Sequence, residues 1–116
     1  MTPEQLKART KKFALEVIAL VSKLPRTLVC EIIGRQLVRC STSVGANYRA
    51  ACRGRSRAEF SAKVAVALEE ADETLYWLEI LRDSGILPDK SVHALITEAD
   101  ELVAIFAASY KTAKSH

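Results

Sequence analysis

Apolar side chains recur at every third or fourth position through four stretches of the chain, and turn-forming residues separate these stretches. Pro25, Gly54 and the pair Ser84-Gly85 mark the three breaks. This spacing is typical of amphipathic α-helices. It predicts helices over about residues 3–24, 27–53, 57–83 and 89–110. Four helices with short connections indicate a single all-α domain over residues 1–116, folded as an antiparallel up-down-up-down four-helix bundle.

Two of the predicted helices begin with a capping box, in which a hydroxyl side chain and a side chain three residues later satisfy the first backbone amides. The first box is Thr2-Pro3-Glu4-Gln5, whose proline also suits the first helical position. The second box is Ser56-Arg57-Ala58-Glu59. We therefore expect Ser56 and Glu59 to have a structural role at the start of the third helix.

The second predicted helix has an apolar seam on one side. The seam lies within about 100° of the helix circumference, and it consists of Val29, Ile33, Leu37, Cys40, Val44, Tyr48 and Ala51. Asn47 lies at the margin of the seam, where a partly buried amide needs partners, so we expect it to bond to a neighbouring helix. Gly45 points away from the seam and is either a tolerated glycine or a point of close approach to another backbone.

The opposite side of the same helix carries arginines. Arg35, Arg39, Arg49 and Arg53 fall within about 80° of one another, and we call them the arginine ridge. Arg55 and Arg57 follow the ridge, and no acidic residue lies between Ile32 and Ala58. A charged stripe is usually a solvated face, but this one lacks the alternating carboxylates that stabilise a surface helix.

Arginine is also the residue type that binds phosphate through two parallel hydrogen bonds. The six arginines are therefore candidate nucleic-acid-binding residues. The alternative is that they face the acidic surface of another helix or subunit.

The distribution of charge divides the chain into two parts. Residues 1–57 contain twelve basic and three acidic side chains, whereas residues 58–110 contain three basic and eleven acidic ones. The formal net charge of the whole chain is only +3. This polarity suits either a basic surface for a polyanion or complementary surfaces for self-assembly.

The third predicted helix has a second, partly apolar flank besides its core face. Trp77 and Leu81 lie on this flank, and Tyr76 precedes Trp77 in the sequence. An aromatic residue at such a position is often packed at the edge of the core, but aromatic anchors are also favoured in protein interfaces. We predict that Tyr76, Trp77 and Leu81 lie at an oligomer interface.

No pattern in the sequence indicates an active site or a metal site. There is no E-x-x-H or Cys/His zinc spacing, no glycine-rich phosphate loop and no G-x-S-x-G motif. We interpret Cys30, Cys40 and Cys52 as small apolar residues, of which only Cys40 belongs to the seam. We expect a protein without catalytic residues, metal or cofactor.

Two features of the sequence concern its location in the cell. No apolar run reaches the roughly 18 residues that a membrane span needs. Residues 1–12 are polar and include four basic side chains, so they lack the apolar core of a secretion signal. We therefore expect a cytoplasmic protein with no membrane contact.

Two motifs resemble a known family. The first is Ser43-Val44-Gly45-Ala46-Asn47, and the second is Glu70-Ala71-Asp72-Glu73-Thr74-Leu75-Tyr76-Trp77-Leu78. Together with Gly54-Arg55-Ser56 between them, they are similar to the bacterial 23S rRNA-intervening sequence protein family. That family includes the accessory variability determinant of diversity-generating retroelements. This chain has Ala51-Cys52-Arg53-Gly54 where many members have an A-E-G ending.

The resemblance implies an up-down bundle that assembles as a homo-oligomeric ring, typically a pentamer. It also implies a positive surface that binds nucleic acid and, in retroelement members, a reverse-transcriptase partner. No catalytic residues come with the family. The leading hypothesis is a non-enzymatic, oligomeric accessory protein that binds the backbone of RNA or DNA through the arginine ridge. The alternatives are a protein-interaction scaffold, whose basic face pairs with an acidic subunit or partner, and a carboxylate-metal enzyme.

Overall fold

Four α-helices make up the protein in a computed structural model that describes residues 1–115. Helix α1 spans Pro3–Val21, α2 spans Leu28–Cys52, α3 spans Arg57–Asp83 and α4 spans Asp89–Lys114. The described part of the chain contains no β-strand. The predicted all-α class is therefore confirmed.

Consecutive helices pack side by side and run in opposite directions. Val21 lies beside Gly34, and Thr10 lies beside Gly45, so α1 and α2 are antiparallel. Helix α2 packs along α3 and α3 along α4, whereas α1 approaches α4 much less closely. The resulting rod measures 46 × 20 × 19 Å. The predicted four-helix bundle is confirmed, with its α1–α4 side the least tightly packed.

The predicted caps are present at the starts of α1 and α3. Thr2 Oγ1 accepts a hydrogen bond from the Gln5 amide at 3.1 Å, and Gln5 Oε1 accepts one from the Thr2 amide at 2.8 Å. Ser56 Oγ accepts from the Glu59 amide at 3.1 Å. The Glu59 carboxylate, however, accepts from the amide of Arg55 at 2.6 Å and not from that of Ser56. Glu59 therefore has a structural role, but it binds the backbone amide one residue before the one that the capping-box pattern predicts.

Two helix ends differ from the predicted ones. Helix α1 ends at Val21 instead of residue 24, because the amides of Lys23 and Leu24 bond to carbonyls three residues back, which tightens the chain before Pro25. Helix α4 continues to Lys114 and does not fray after residue 110. Tyr110 packs against the core and so supports this last turn. His116 lies outside the described residues.

The apolar seam of α2 forms the centre of the core. Six of its seven residues are buried, but Val29 is 54% exposed. Val29 lies in the first turn of α2, and the Cys40–Thr74 contact between antiparallel α2 and α3 places it level with about residue 85, beyond the end of α3. Cys30, which does not belong to the seam, is nevertheless buried and lines a recess at the α1–α2 connection with Leu24.

Candidate nucleic-acid interface

The arginine ridge lies on the outer side of α2, which is one unbroken helix from Leu28 to Cys52. All four ridge arginines are exposed, as are Arg55 and Arg57 just beyond the helix. At 1.5 Å per residue, Arg35 and Arg53 are about 27 Å apart along the axis. The backbone of a helix is rigid, so the positions of the ridge arginines along the surface are preset.

Arg39 differs from the other ridge arginines because acidic residues of α3 already bind it. Its Nη1 lies 3.1 Å from Glu70 Oε2, and its Nη2 pairs with Glu73. Gln36 Oε1 accepts from Arg39 Nε and Nη2 at 3.2 and 3.0 Å. Glu73 also accepts from the indole Nε1 of Trp77 at 3.0 Å. Arg39 is therefore held against α3, and it is the ridge residue least available to a ligand.

Arg35, Arg49 and Arg53 form no ion pair with any other residue of the described chain 1–115. Arg55 uses its backbone amide to bond Glu59. Its side chain is exposed, as is that of Arg57 at the first position of α3. The ridge therefore presents three guanidinium groups whose charge no carboxylate within residues 1–115 neutralises.

Helix α1 adds two lysines to this surface. A shallow groove of about 710 Å³ runs between α1 and α2. We call it the α1–α2 groove. Its basic lining residues are Lys7 and Lys11 of α1, Arg49 of α2 and Arg53 at the C-cap of α2. Lys7 pairs with the exposed carboxylate of Glu4 at 3.1 Å, whereas Lys11 makes no ion pair within residues 1–115.

The close approach of the two helices forms the floor of the α1–α2 groove. A Cβ atom placed on Gly45 would lie 3.0 Å from Thr10 Oγ1 and 3.6 Å from the backbone carbon of Thr10. Of the two interpretations of Gly45, close approach is the one that the structure supports. The groove continues past Thr42 to Leu15 and Ile18, two aliphatic side chains that are 57% and 37% exposed.

The chain matches one protein family over most of its length. The family profile of the 23S rRNA-intervening sequence protein matches residues 5–108. The chain belongs to this family. This confirms the resemblance carried by the Ser43–Asn47 and Glu70–Leu78 motifs.

A crystal structure from Bacteroides thetaiotaomicron, described as a protein with unknown function from the S23 ribosomal protein family, is similar to this member over almost its whole length. The TM-score is 0.87 at 30% sequence identity, covering 96% of this chain and 99% of that chain. No curated protein sequence matches the chain.

Of the three residues predicted at an oligomer interface, Tyr76 is exposed, Trp77 is partly buried and Leu81 lies in the core. Tyr76 is 54% exposed, and its ring packs edge-on against Trp77 with centroids 5.3 Å apart. Trp77 is half-buried. Leu81, in contrast, is fully buried within this family member, so the prediction that it lies at a subunit interface was wrong. The flank that it shares with Trp77 in the helical pattern is covered by the rest of the bundle at that level.

Asn47 does not bond to a neighbouring helix, contrary to the prediction. Its Nδ2 donates to the Ser43 carbonyl oxygen at 2.9 Å and to Ser43 Oγ at 2.8 Å, both within α2. A carbonyl four residues earlier is always within reach of a short side chain on a helix, so no interhelical partner is needed. The Nδ2 group of Asn47 is therefore satisfied within α2 and does not set the register between helices.

Further features of this family member bear on metal binding, the buried thiol of Cys40 and membrane spanning. Residues 1–115 contain no group of three His, Cys, Asp or Glu side chains arranged to hold a metal ion. Burial raises the pKa of the Cys40 thiol, which accepts a hydrogen bond from Thr74 Oγ1 at 3.1 Å. A thiol held protonated in this way is a poor nucleophile. Within residues 1–115, no helix is both long enough and apolar enough to cross a membrane.

Proposed function

We propose that this protein is a non-enzymatic accessory protein that binds the phosphate backbone of RNA or DNA through the arginine ridge. One observation carries the proposal: Arg35 and Arg49 on helix α2, and Arg53 at its C-cap, are exposed with no carboxylate partner within residues 1–115. Such a row of guanidinium groups matches the repeating negative charge of a nucleic acid.

Phosphate contacts determine how binding depends on salt concentration and on nucleotide sequence. Each neutralised phosphate releases condensed counterions, so the affinity falls steeply as the salt concentration rises. Backbone contacts fix the position of a protein but do not read sequence. We therefore expect binding with strong salt dependence and little sequence preference. Because the family takes its name from 23S rRNA, RNA is the first probe to use.

We also propose that the protein acts as a homo-oligomer, with the pentamer as the form that the family resemblance implies. Leu28, Val29 and Ile32, near the start of α2, are 71%, 54% and 51% exposed, and neighbouring exposed aliphatic side chains favour contact between proteins. In an oligomer the ridge is repeated, so weak phosphate contacts act together. A reverse transcriptase is the protein partner that the resemblance implies.

A fluorescence anisotropy titration of a labelled RNA at about 50 and 200 mM salt tests the proposal. The variant to compare changes Arg35, Arg49 and Arg53 to Glu. A matched control changes Lys63, Lys90 and Lys111 to Glu, because these exposed lysines of α3 and α4 alter the net charge equally. The ridge variant should lose binding at both salt concentrations, while the control should retain most of it. Equal loss in both variants, or binding that does not depend on salt, would overturn the proposal.

A protein-interaction scaffold is the second candidate function, and Arg39 is the observation that favours it. This arginine already pairs with Glu70 and Glu73 across two helices, and a ridge arginine could pair in the same way with an acidic residue of a neighbouring subunit. In that case the ridge variant would dissociate the oligomer, whereas nucleic acid binding predicts an unchanged assembly. Sedimentation velocity of the wild type and the ridge variant separates the two candidates.

A further inference from the structure

We propose that the nucleic acid is a double helix, and that one strand of its backbone lies in the α1–α2 groove. This inference rests on the proposed function, because it names the form of nucleic acid and the place where it binds. It adds Lys7 and Lys11 of α1 to the interface, and it excludes recognition of unpaired bases by this surface.

The groove places four cations, two on each wall, within a short length. The contacts of Thr10 with Gly45 and of Val21 with Gly34 give the antiparallel register of the two helices. In this register Lys11 is level with about residue 44 of α2 and Lys7 with about residue 48. Arg49 and Arg53 lie on the opposite wall, so the four charges together extend over about 14 Å along the groove.

That length and charge suit one strand of a duplex. Successive phosphates of one strand of a double helix are closer together than the length of the groove, so the groove can contact more than one phosphate of the same strand. One carboxylate lies on the same wall, that of Glu4, which pairs with Lys7 at 3.1 Å. Four cations against one carboxylate leave the groove with a clear excess of positive charge.

The depth of the groove excludes inserted bases. A Cβ on Gly45 would already be only 3.0 Å from Thr10 Oγ1, so the two helices are in contact at the floor. At this crossing there is no gap between the helices into which a planar base could insert. The groove can therefore hold a backbone that projects from the surface of a duplex, but it offers no slot in which a single strand could place its bases.

The groove also lacks exposed aromatic residues on which the bases of a single strand could stack. Proteins that bind single strands usually stack the bases on exposed aromatic rings along a basic groove. The two aromatic residues of α1 and α2, Phe13 and Tyr48, are 1% and 6% exposed and belong to the core. The exposed Tyr76 lies on α3, packed against Trp77. A flexible single strand would therefore lose its conformational freedom here without gaining stacking energy.

The test compares duplexes with their own component strands. Fluorescence anisotropy is measured with a 20-base-pair RNA duplex, a 20-base-pair DNA duplex and each separated strand, with sequences that do not fold on themselves. We expect each duplex to bind at least tenfold more tightly than its strands at the same salt concentration. If a single strand binds as tightly as the duplex, with a steep salt dependence, the duplex inference is overturned while the proposed function stands.

A pair of variants tests the placement in the groove. Lys11→Gln with Arg49→Gln removes one cation from each wall, and Lys63→Gln with Lys90→Gln removes two exposed lysines from α3 and α4. The groove pair should reduce the slope of log affinity against log salt by about two, since each phosphate contact contributes about one. The control pair should leave the slope unchanged. Equal effects of both pairs would overturn the groove placement, and no binding of any probe by the wild type would overturn the proposed function itself.

Discussion

Arg9 of α1 donates two hydrogen bonds to Glu98 of α4, at 2.7 Å from Nε to Oε2 and 2.6 Å from Nη2 to Oε1. Glu101 accepts another bond from Arg9 Nη2 at 3.3 Å. The pKa of Arg9 is raised above its ordinary value, mainly by the hydrogen bond with Glu98. These bonds join α1 and α4, the neighbouring helices that pack least closely, so they close the open side of the bundle.

The first prediction concerns this ion pair. Arg9→Ala should lower the free energy of unfolding by about 1–2 kcal/mol, because a two-pronged guanidinium–carboxylate pair with both side chains about three-quarters buried contributes more than an exposed pair. Urea denaturation measures the change. A double-mutant cycle with Glu98→Ala separates the pair from the rest of each side chain, and a coupling energy near zero would contradict this role.

The second prediction uses the contact between α1 and α2. Alanine in place of glycine inside a helix normally stabilises it by about 1 kcal/mol. At Gly45, however, the added methyl group would meet Thr10 Oγ1 at 3.0 Å. This hydroxyl is buried and bonded to the carbonyls of Leu6 and Lys7 at 3.0 Å, so it cannot move aside. Gly45→Ala should therefore lower the free energy of unfolding by about 1 kcal/mol, because of overpacking.

Gly34→Ala is the matched control for this change. Its added methyl group would meet only Val21 Cγ1 at 3.0 Å, with the next atom 3.9 Å away. Val21, the last residue of α1, is half-buried, so only one side-chain atom at the end of the helix has to give way. This variant should be neutral or stabilising in the same urea experiment. If Gly45→Ala stabilises the protein as much as Gly34→Ala does, α1 and α2 are not packed closely at Thr10.

The third prediction is a pH dependence of stability. Burial first, and then the hydrogen bond with Cys52, raise the pKa of Tyr48 to about 12 from its ordinary 10.0. Between these two values the unfolded chain loses this proton while the folded protein keeps it. Stability should therefore fall as the pH rises from about 10 to about 12, by at most about 1.4 kcal/mol per pH unit from this group.

Tyr48→Phe isolates the contribution of that hydroxyl. The ring should keep its contact with Phe106, whose centroid is 5.6 Å away. Thermal or urea denaturation of both proteins at pH 9 and 11 gives the comparison. The variant should lose less stability than the wild type over this interval, and identical losses would show that Tyr48 titrates normally in the folded protein.

The fourth prediction concerns the partners of Arg39. Because Glu70 and Glu73 already neutralise it, Arg39→Gln should affect the affinity for nucleic acid less than Arg49→Gln. Conversely, Glu73→Gln should release Arg39 and tighten binding severalfold at low salt. Glu69→Gln is the control, because it removes the same charge from an exposed position of α3. Equal effects of the two glutamate changes in an anisotropy titration would mean that only net charge matters.

Capping boxes and helical periodicity in the sequence were sufficient to predict much of the architecture. Thr2 and Gln5 bond to each other as the capping-box pattern predicts, since such a cap involves only neighbouring residues. The seam from Ile33 to Ala51 is buried because its residues repeat with the period of the helix. Leu81 was misplaced because the same periodicity cannot show which flank of a helix its neighbours cover.

The candidate interface was predictable only in part. The ridge arginines could be found from one helix alone, because their shared side follows from the spacing in the sequence. Lys7 and Lys11 lie on another helix, and their i, i+4 spacing off the apolar stripe was the only signal that the sequence offered. Their position opposite Arg49 depends on the register of α1 against α2, which the contact of Thr10 with Gly45 sets.

The sequence by itself determined the number of helices, the buried side of α2 and the outward direction of its arginines, because helical periodicity and capping are short-range effects. Only the tertiary structure decided which of those arginines stay without an ion pair within residues 1–115. Arg39 lies on the side of the ridge nearest α3 and pairs with Glu70 and Glu73. Arg49 lies on the side nearest α1 and lines the same groove as two lysines. Charge pairing between helices depends on which helices are neighbours, and that is a property of the packed bundle.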